Sequence, residues 1–264
     1  SGYARASGKV GVAIVTSGPG ATNMVTPVRD STADSIPLVV ISGQVATHAI
    51  GSDAFQEAPI SNIMSSCAKH VFLVTEAEKL EATLRTAFTI ARSGRPGPVV
   101  VDVPKDIQNA SVIFDGQKEL PLPGYRARLR AVEQASLSDA DCEAFFSALL
   151  QAKRPLIYAG GGVIASGSSE VLREFVETFG LPVTTTLMGI GGFDTTHPLA
   201  LHMLGMHGTA YANYAVEDCD FLFALGARFD DRVASVPSQF APKAKFIAHI
   251  DIDPAEINKV KPAD

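Results

Sequence analysis

A chain of 264 residues, 46% of them apolar and 19% charged, is long enough for two ordinary domains and apolar enough to bury a core in each. Its net charge of -6 excludes the basic face that a nucleic-acid partner needs and gives no footing on an anionic membrane. No apolar run reaches the roughly 18 residues that cross a bilayer. Three distant cysteines, Cys67, Cys142 and Cys219, make neither a disulfide framework nor a zinc motif and fit a reducing compartment.

The predicted elements alternate. The opening, Ser1-Gly2-Tyr3-Ala4-Arg5, reads as the tail of a helix with no initiator methionine, and a chain cut at both ends is expected. Residues 10–16 (VGVAIVT), 37–42 (PLVVIS) and 98–103 (PVVVDV) are continuous β-rich runs, the signature of strands buried on both faces. Before the third, Thr75 and Glu78 form a capping-box pattern. Leu80, Leu84, Ala87, Phe88 and Ala91 then share a helix face, and Gly94 supplies a stop. Residues 121–137 lose period and gather Pro121, Pro123, Gly124 and the basic Arg126, Arg128 and Arg130, as an interdomain linker does. A second capping box, Ser138 with Asp141, opens a helix carrying Phe145, Phe146, Leu149 and Leu150. A strand at 155–159 (PLIYA) and Gly160-Gly161-Gly162 follow. Next comes a helix with Leu172, Phe175, Val176 and Phe179 inward and Gly180 at its end. Further strands are predicted at 181–185, 221–225 and 246–252. The fold class is therefore α/β, with two doubly wound parallel-sheet domains at 1–120 and 138–264 joined by the 121–137 linker.

Ligands of such sheets sit off the carboxyl ends of strands. Thr16 to Asn23 (TSGPGATN) is a strand-to-helix turn there, without dinucleotide-fingerprint spacing. Gly43-Gln44-Val45 ends a strand and leads to residues 51–57 (GSDAFQE), where Phe55 offers an aromatic wall and Gln56 an amide that donates and accepts. Lys105 follows the third strand, and Arg95 is fixed among glycines and prolines. In the second half, three consecutive glycines suit close approach of backbone amides to a phosphate. Gly226 to Arg232 is heavily charged for a turn, and Asp251 and Asp253 close a strand. Together these describe a dinucleotide-sized site. No histidine pairs with a nearby serine or cysteine as a triad would, and His249, in an apolar strand, reads as a packed core residue.

The strings GYARASGK (2–9), TSGPGATN (16–23), GQV (43–45), GSDAFQE (51–57), SGRPGPVVVDVPKD (93–106), TLMG (186–189), MLGMHGT (203–209) and GARFDDRV (226–233) resemble those of acetolactate (acetohydroxyacid) synthases along the whole chain. The resemblance implies a partial pyrimidine-binding domain followed by a truncated FAD-binding central domain. The implied reaction joins the two-carbon unit of a decarboxylated pyruvate to a second 2-oxo acid, pyruvate or 2-oxobutyrate, in branched-chain amino-acid biosynthesis. It further implies thiamine diphosphate, FAD and Mg²⁺ as cofactors, with the activating glutamate and the Mg²⁺ ligands outside this chain and no metal ligand within it. By the family pattern Gln56, Phe55 and Lys105 are catalytic, and Ala46, Lys69 and Arg95 line the entrance. The thiamine cofactor meets Gln56. FAD is assigned to Gly161, Thr186, Leu187, Leu204, Gly205, Met206, His207, Gly226, Ala227, Arg228, Phe229, Asp230, Asp251 and Ile252. Implied partners are further copies in a homodimer or homotetramer and a regulatory small subunit. The implied compartment is the cytoplasm of a bacterium or the plastid or mitochondrion of a eukaryote. A related carboligase such as glyoxylate carboligase, or a non-catalytic FAD module, stands as the alternative. Ala46 departs from the family pattern, which has proline after GQV in the loop where sulfonylureas pack.

Overall fold

The computed structural model describes residues 1–264, which divide into two compact units, Ser1–Glu133 and Gln134–Asp264. No helix is long and apolar enough to cross a membrane.

In the first unit, α1 (Gly2–Ser7) leads to β1 (Gly11–Val15), α2 (Pro19–Thr22), α3 (Val25–Ala33) and β2 (Leu38–Gln44). Then come α4 (Ile60–Ser65), β3 (His70–Leu73), α5 (Leu80–Arg92), β4 (Pro98–Pro104), α6 (Lys105–Gln108) and α7 (Pro123–Glu133). The sheet is wholly parallel in the order β1-β2-β4-β3. Successive side chains of a strand leave opposite faces. Val39, Val99, Val101 and Val103 therefore pack with α5, while Leu38, Val40 and Val100 pack with α2, α3 and α4. Every residue of β4 is buried, and each such aliphatic chain contributes about 1.5–3 kcal/mol of burial.

Three details of this unit differ from the sequence reading. The Thr75–Glu78 capping box does not form: a 3₁₀ turn, Ala77–Lys79, precedes α5, which starts without a side-chain cap. Strand β3 was not predicted, because four residues opening on His70 carry too short a pattern. The linker stretch contains α7, whose Tyr125 hydroxyl meets Ser93 Oγ at 3.0 Å and whose Leu129 lies against Gly94. Pro123 at its first position suits a helix start, so the prolines and glycine that read as punctuation are its entry. Tyr125 and Leu129, four apart, form the apolar stripe, and Arg126 pairs with Glu119.

The second unit runs α8 (Asp139–Gln151), β5 (Pro155–Ala159), α9 (Gly161–Ala165), α10 (Ser169–Phe179), β6 (Val183–Thr185), β7 (Ala200–Met203), α11 (Ala210–Asp218), β8 (Phe221–Leu225) and β9 (Phe246–Ile250). The Ser138–Asp141 capping box is present in both directions. Gly180 ends α10 in the left-handed conformation, φ 66°. The parallel sheet has the order β7-β6-β5-β8-β9. From β5 the chain builds outward through β6 and β7, then crosses to β8 and β9 on the other side. The order thus reverses between β5 and β8, and crevices open at such switch points. Leu172, Val176, Phe221 and Phe223 build one core, and Tyr158, Leu222, Ala212 and Phe229 the other. Of the apolar positions noted on α8, Leu149 is buried and Leu150 is 75% exposed; of those read as inward on α10, Leu172 and Val176 are buried and Phe179 is 37% exposed.

Candidate functional sites at the strand ends

At the carboxyl edge of the first sheet, β1, β2 and β4 deliver Gly18, Gln44 and Lys105. Gly18 caps α2 at φ 58°, and a Cβ there would stand 2.6 Å from the Gln56 carbonyl oxygen. Only glycine satisfies both the left-handed backbone and this approach. The loop between β2 and α4 is fastened by carboxylates. Asp106 accepts from the Thr47 amide at 3.0 Å and its hydroxyl at 2.5 Å, and the hydroxyl bond first holds its carboxyl below the ordinary range. Glu57 accepts from the amides of Gly51 and Ala54, closing the turn upon itself, and the Gly51 bond is the main reason its carboxyl lies low. Within that turn Asp53 and Gln56 adopt positive φ, 57° and 61°. Such strain in non-glycine residues persists where surrounding contacts over-determine it. Phe55 is 90% exposed at the tip, and Ala46 opens the loop in an extended conformation.

Lys69 and Arg95, assigned with Ala46 to one entrance, lie elsewhere in this unit. Both sit at the amino edge of the sheet: the Lys69 amide donates to Pro98 O at 2.8 Å, and Arg95 Nε to Ser35 Oγ at 2.9 Å. The Lys69 ammonium donates to the carbonyls of Ile90 (2.5 Å) and Ser93 (2.6 Å), closing the last turn of α5, where a cation suits the helix dipole. Burial lowers its pKa to about 8. Within this unit its bonds are those of a helix cap; Lys69 directly precedes β3, a strand absent from the sequence reading, so its edge could not be read.

At the carboxyl edge of the second sheet, the segments after all five strands carry the residues assigned to FAD. The glycine triplet works differently from a plain amide cradle. Gly160 N donates to Leu225 O and Gly162 N to Gly226 O, so only the Gly161 amide makes no backbone bond. A Cβ on Gly160 would lie 2.1 Å from Gly226 O, so the two turns pack backbone to backbone. Gly226 itself has φ 51°. Its turn is pinned from below by Tyr158 Oη, which donates to Arg228 O at 2.7 Å, and by His249 Nε2, 3.0 Å from Ala227 O. Burial raises the Tyr158 phenol well above its ordinary value and keeps it a donor. His249 is thus a core histidine, fully buried and in edge contact with Phe229.

Ala227, Phe229 and Leu204 are buried in the core, which leaves their backbones as the parts able to meet a ligand. Arg228 and Asp230 stand 4.0 Å apart at the rim. Thr186 Oγ1 accepts from Gly189 N at 2.9 Å and shapes the turn presenting Leu187. Asn213 clamps the Gly205 peptide on both sides, at 2.8 and 3.1 Å. Asn213 and Tyr158 were missed in the sequence, since a buried clamp shows no motif. Leu187 (69%), Met206 (62%) and Ile252 (50%) are exposed apolar side chains on this edge, and His207 is exposed beside them. Asp251 Oδ1 accepts from Asp253 N at 2.8 Å. A cavity of about 410 Å³ lies instead at the amino edge, lined by Lys153, Arg154, Lys243 and Lys245. Its charged, open walls suit a flat ring poorly, and the switch point remains the better-founded site.

Comparison with known proteins gives a family match in each unit. Residues 1–66 match the family model "Thiamine pyrophosphate enzyme, N-terminal TPP binding domain", and residues 142–264 match "Thiamine pyrophosphate enzyme, central domain". The chain is 53% identical over 261 residues to acetolactate synthase 1, chloroplastic, of Zea mays, covering 99% of this chain and 40% of that protein. It is 50% identical over 260 residues to the chloroplastic acetolactate synthase of Arabidopsis thaliana, with 98% and 38% covered. It is 49% identical over 265 residues to the acetolactate synthase large subunit of Corynebacterium glutamicum, with 99% and 41% covered. The chain thus spans about 40% of the length of the curated relatives it matches.

Proposed function

The chain belongs to the thiamine pyrophosphate enzymes, and from that premise we propose that it forms part of an acetolactate synthase catalytic subunit. The reaction is decarboxylation of pyruvate and carboligation of the two-carbon unit to a second 2-oxo acid, serving branched-chain amino-acid synthesis. The observation that carries this reading is identity of about half the residues over nearly the whole chain, in both units, to acetolactate synthases from plants and a bacterium.

Bound thiamine diphosphate supplies the carbanion-stabilising carbon that no side chain can. The chain's own part is positioning. The Phe55–Gln56 tip stands on a carboxylate-tied turn, with an amide that can donate to or accept from a reacting oxygen and an exposed aromatic ring available to pack on a bound ligand. Lys105, exposed at the strand end, offers a cation to a 2-oxo acid carboxylate. The second edge fits FAD on three counts: the unpaired Gly161 amide, the Arg228 guanidinium for a pyrophosphate, and the exposed Leu187, Met206 and Ile252 for flat rings. Partners are further copies of the subunit and a regulatory small subunit.

The complete enzyme, given thiamine diphosphate, Mg²⁺ and pyruvate, is expected to release CO₂ and accumulate acetolactate. Gln56→Ala lowers kcat about 10²-fold or more, as loss of a positioned transition-state donor does. Absence of acetolactate from the parent enzyme would overturn the reading.

A further inference from the structure

The active loop is braced by a buried network that neither the motifs nor the resemblance assigns. Asp102 of β4 lies directly across from Ser42 of β2 in register, and its carboxylate is 1% exposed. It accepts from Ser42 Oγ at 2.6 Å and from Gln44 Nε2 at 3.0 Å. The same Gln44 nitrogen donates to Ala58 O at 3.0 Å, while Gln44 Oε1 accepts from Val45 N at 2.8 Å. The side-chain amide is thus fully used, tying strand β4 to the backbone two residues beyond Gln56. On the other side Gly18 stops the Gln56 carbonyl. An apolar pair would fill this strand interior at lower cost than a buried carboxylate with neutral donors. What an apolar pair cannot do is orient the Gln44 amide toward Ala58.

We propose that Gln44 and Asp102 are positioning residues for the reaction: they set the Phe55–Gln56 tip by bracketing the loop at Ala58. This rests on the carboligase reading of that tip. In the complete enzyme Gln44→Met keeps length and loses both donors. Its kcat should fall about tenfold or more, with KM for pyruvate within about twofold, because a loosened tip misplaces a reacting group without removing a binding one. Asp102→Asn is the conservative rescue, since its amide can accept from Gln44 and donate to Ser42. It should keep kcat within about threefold. Ser42→Ala removes a donor to the same carboxylate but leaves the Ala58 bracket intact, and should lose less than about threefold.

A Gln44→Met kcat within twofold of the parent, or an equal loss in Ser42→Ala, would sink the proposal. Backbone amide exchange separates this outcome from failure of the functional reading. In Gln44→Met, exchange across residues 51–58 should quicken about tenfold while β4 stays protected. Unchanged loop exchange would refute the bracket even in an enzyme that makes no acetolactate. If Gln44→Met does not fold, Gln44→Asn, which keeps polarity and loses reach, carries the same expectations.

Discussion

The two strand-end regions are fixed by different means. In the first unit the loop between Gln44 and Ile60 is tied by side chains: Asp102 through Gln44, Asp106 through Thr47, Glu57 to Gly51 and Ala54. In the second, the turns after β5 and β8 have side-chain ties from Tyr158 and His249 but add a backbone interlock, with Gly160 and Gly162 against Gly226 and no room for a Cβ. Side-chain ties can be loosened one at a time and respond to protonation. Backbone interlock has no such gradation: it is kept or the unit is disrupted. The contrast matches the roles proposed for them, a tip that positions reacting groups and a platform that holds a structural cofactor.

The sharpest break of that contrast is Gly160→Ala. Its Cβ would stand 2.1 Å from Gly226 O and 2.6 Å from Ala227 Cα, both backbone atoms that cannot swing aside. A loss of about 3 kcal/mol or more is expected, in the range where a core is overpacked. Gly167→Ala is the control: φ is 69° but nothing lies within 4 Å, so only the left-handed penalty of about 1–2 kcal/mol applies. Denaturant unfolding of the two variants measures the gap. Equal losses would mean the interlock is softer than its geometry.

The next effect belongs to the side-chain-tied loop and depends on pH. Burial raises the Asp102 carboxyl above its ordinary 3.8, opposed by the bonds from Ser42 and Gln44. Well below 3.8 the acid is protonated in both states and adds no pH dependence. As pH rises through that value the unfolded chain releases its proton first, so the folded state binds more protons and stability falls. The fall ends once pH passes the raised folded value. Asp102→Asn removes this titration. Its stability relative to the parent should therefore climb with pH across the carboxylate range and then level off. Melting curves from about pH 3 to 7 read the slope, and a flat difference would mean that Asp102 is not held high.

Much of the architecture was legible because it rests on long local patterns. The runs at 37–42 and 98–103 are apolar on both faces and became β2 and β4, and the Ser138–Asp141 box opened α8. What failed was local pattern without its context. Thr75 and Glu78 have the right spacing, yet a 3₁₀ turn intervenes. Pro123 and Gly124 punctuate, yet they open α7. For the sites, the motif strings marked the strand ends but not what holds them. Gln44 was read as part of a string, and Asp102, Tyr158 and Asn213 have meaning only through partners 58, 70 and 8 residues away in sequence. Lys69 and Arg95, assigned to the entrance by the resemblance, sit at the amino edge of this unit's sheet, away from Ala46.

The smallest effect on stability concerns Ala46, where the loop leaves β2. Its φ of -56° and ψ of 149° already match those of proline, and its amide donates to no backbone acceptor. Proline there would lose no hydrogen bond and would restrict the unfolded chain, so Ala46→Pro should stabilise by about 0.4–1 kcal/mol. Its ring would also add roughly two methylenes of surface to the entrance loop. At about 0.8 kcal/mol each, a sulfonylurea packed on that ring would gain about 1.6 kcal/mol, or roughly tenfold in affinity. Pyruvate, proposed to react at the Phe55–Gln56 tip, would feel little of this. The complete enzyme is therefore expected to resist sulfonylureas more than its Ala46→Pro variant, with similar pyruvate kinetics in both. Inhibition curves on the pair decide it. Equal inhibitor constants, with the proline variant more stable, would show that the backbone was ready for proline but that this residue does not touch the inhibitor. The loop would then be a mechanical hinge point rather than a wall of the channel.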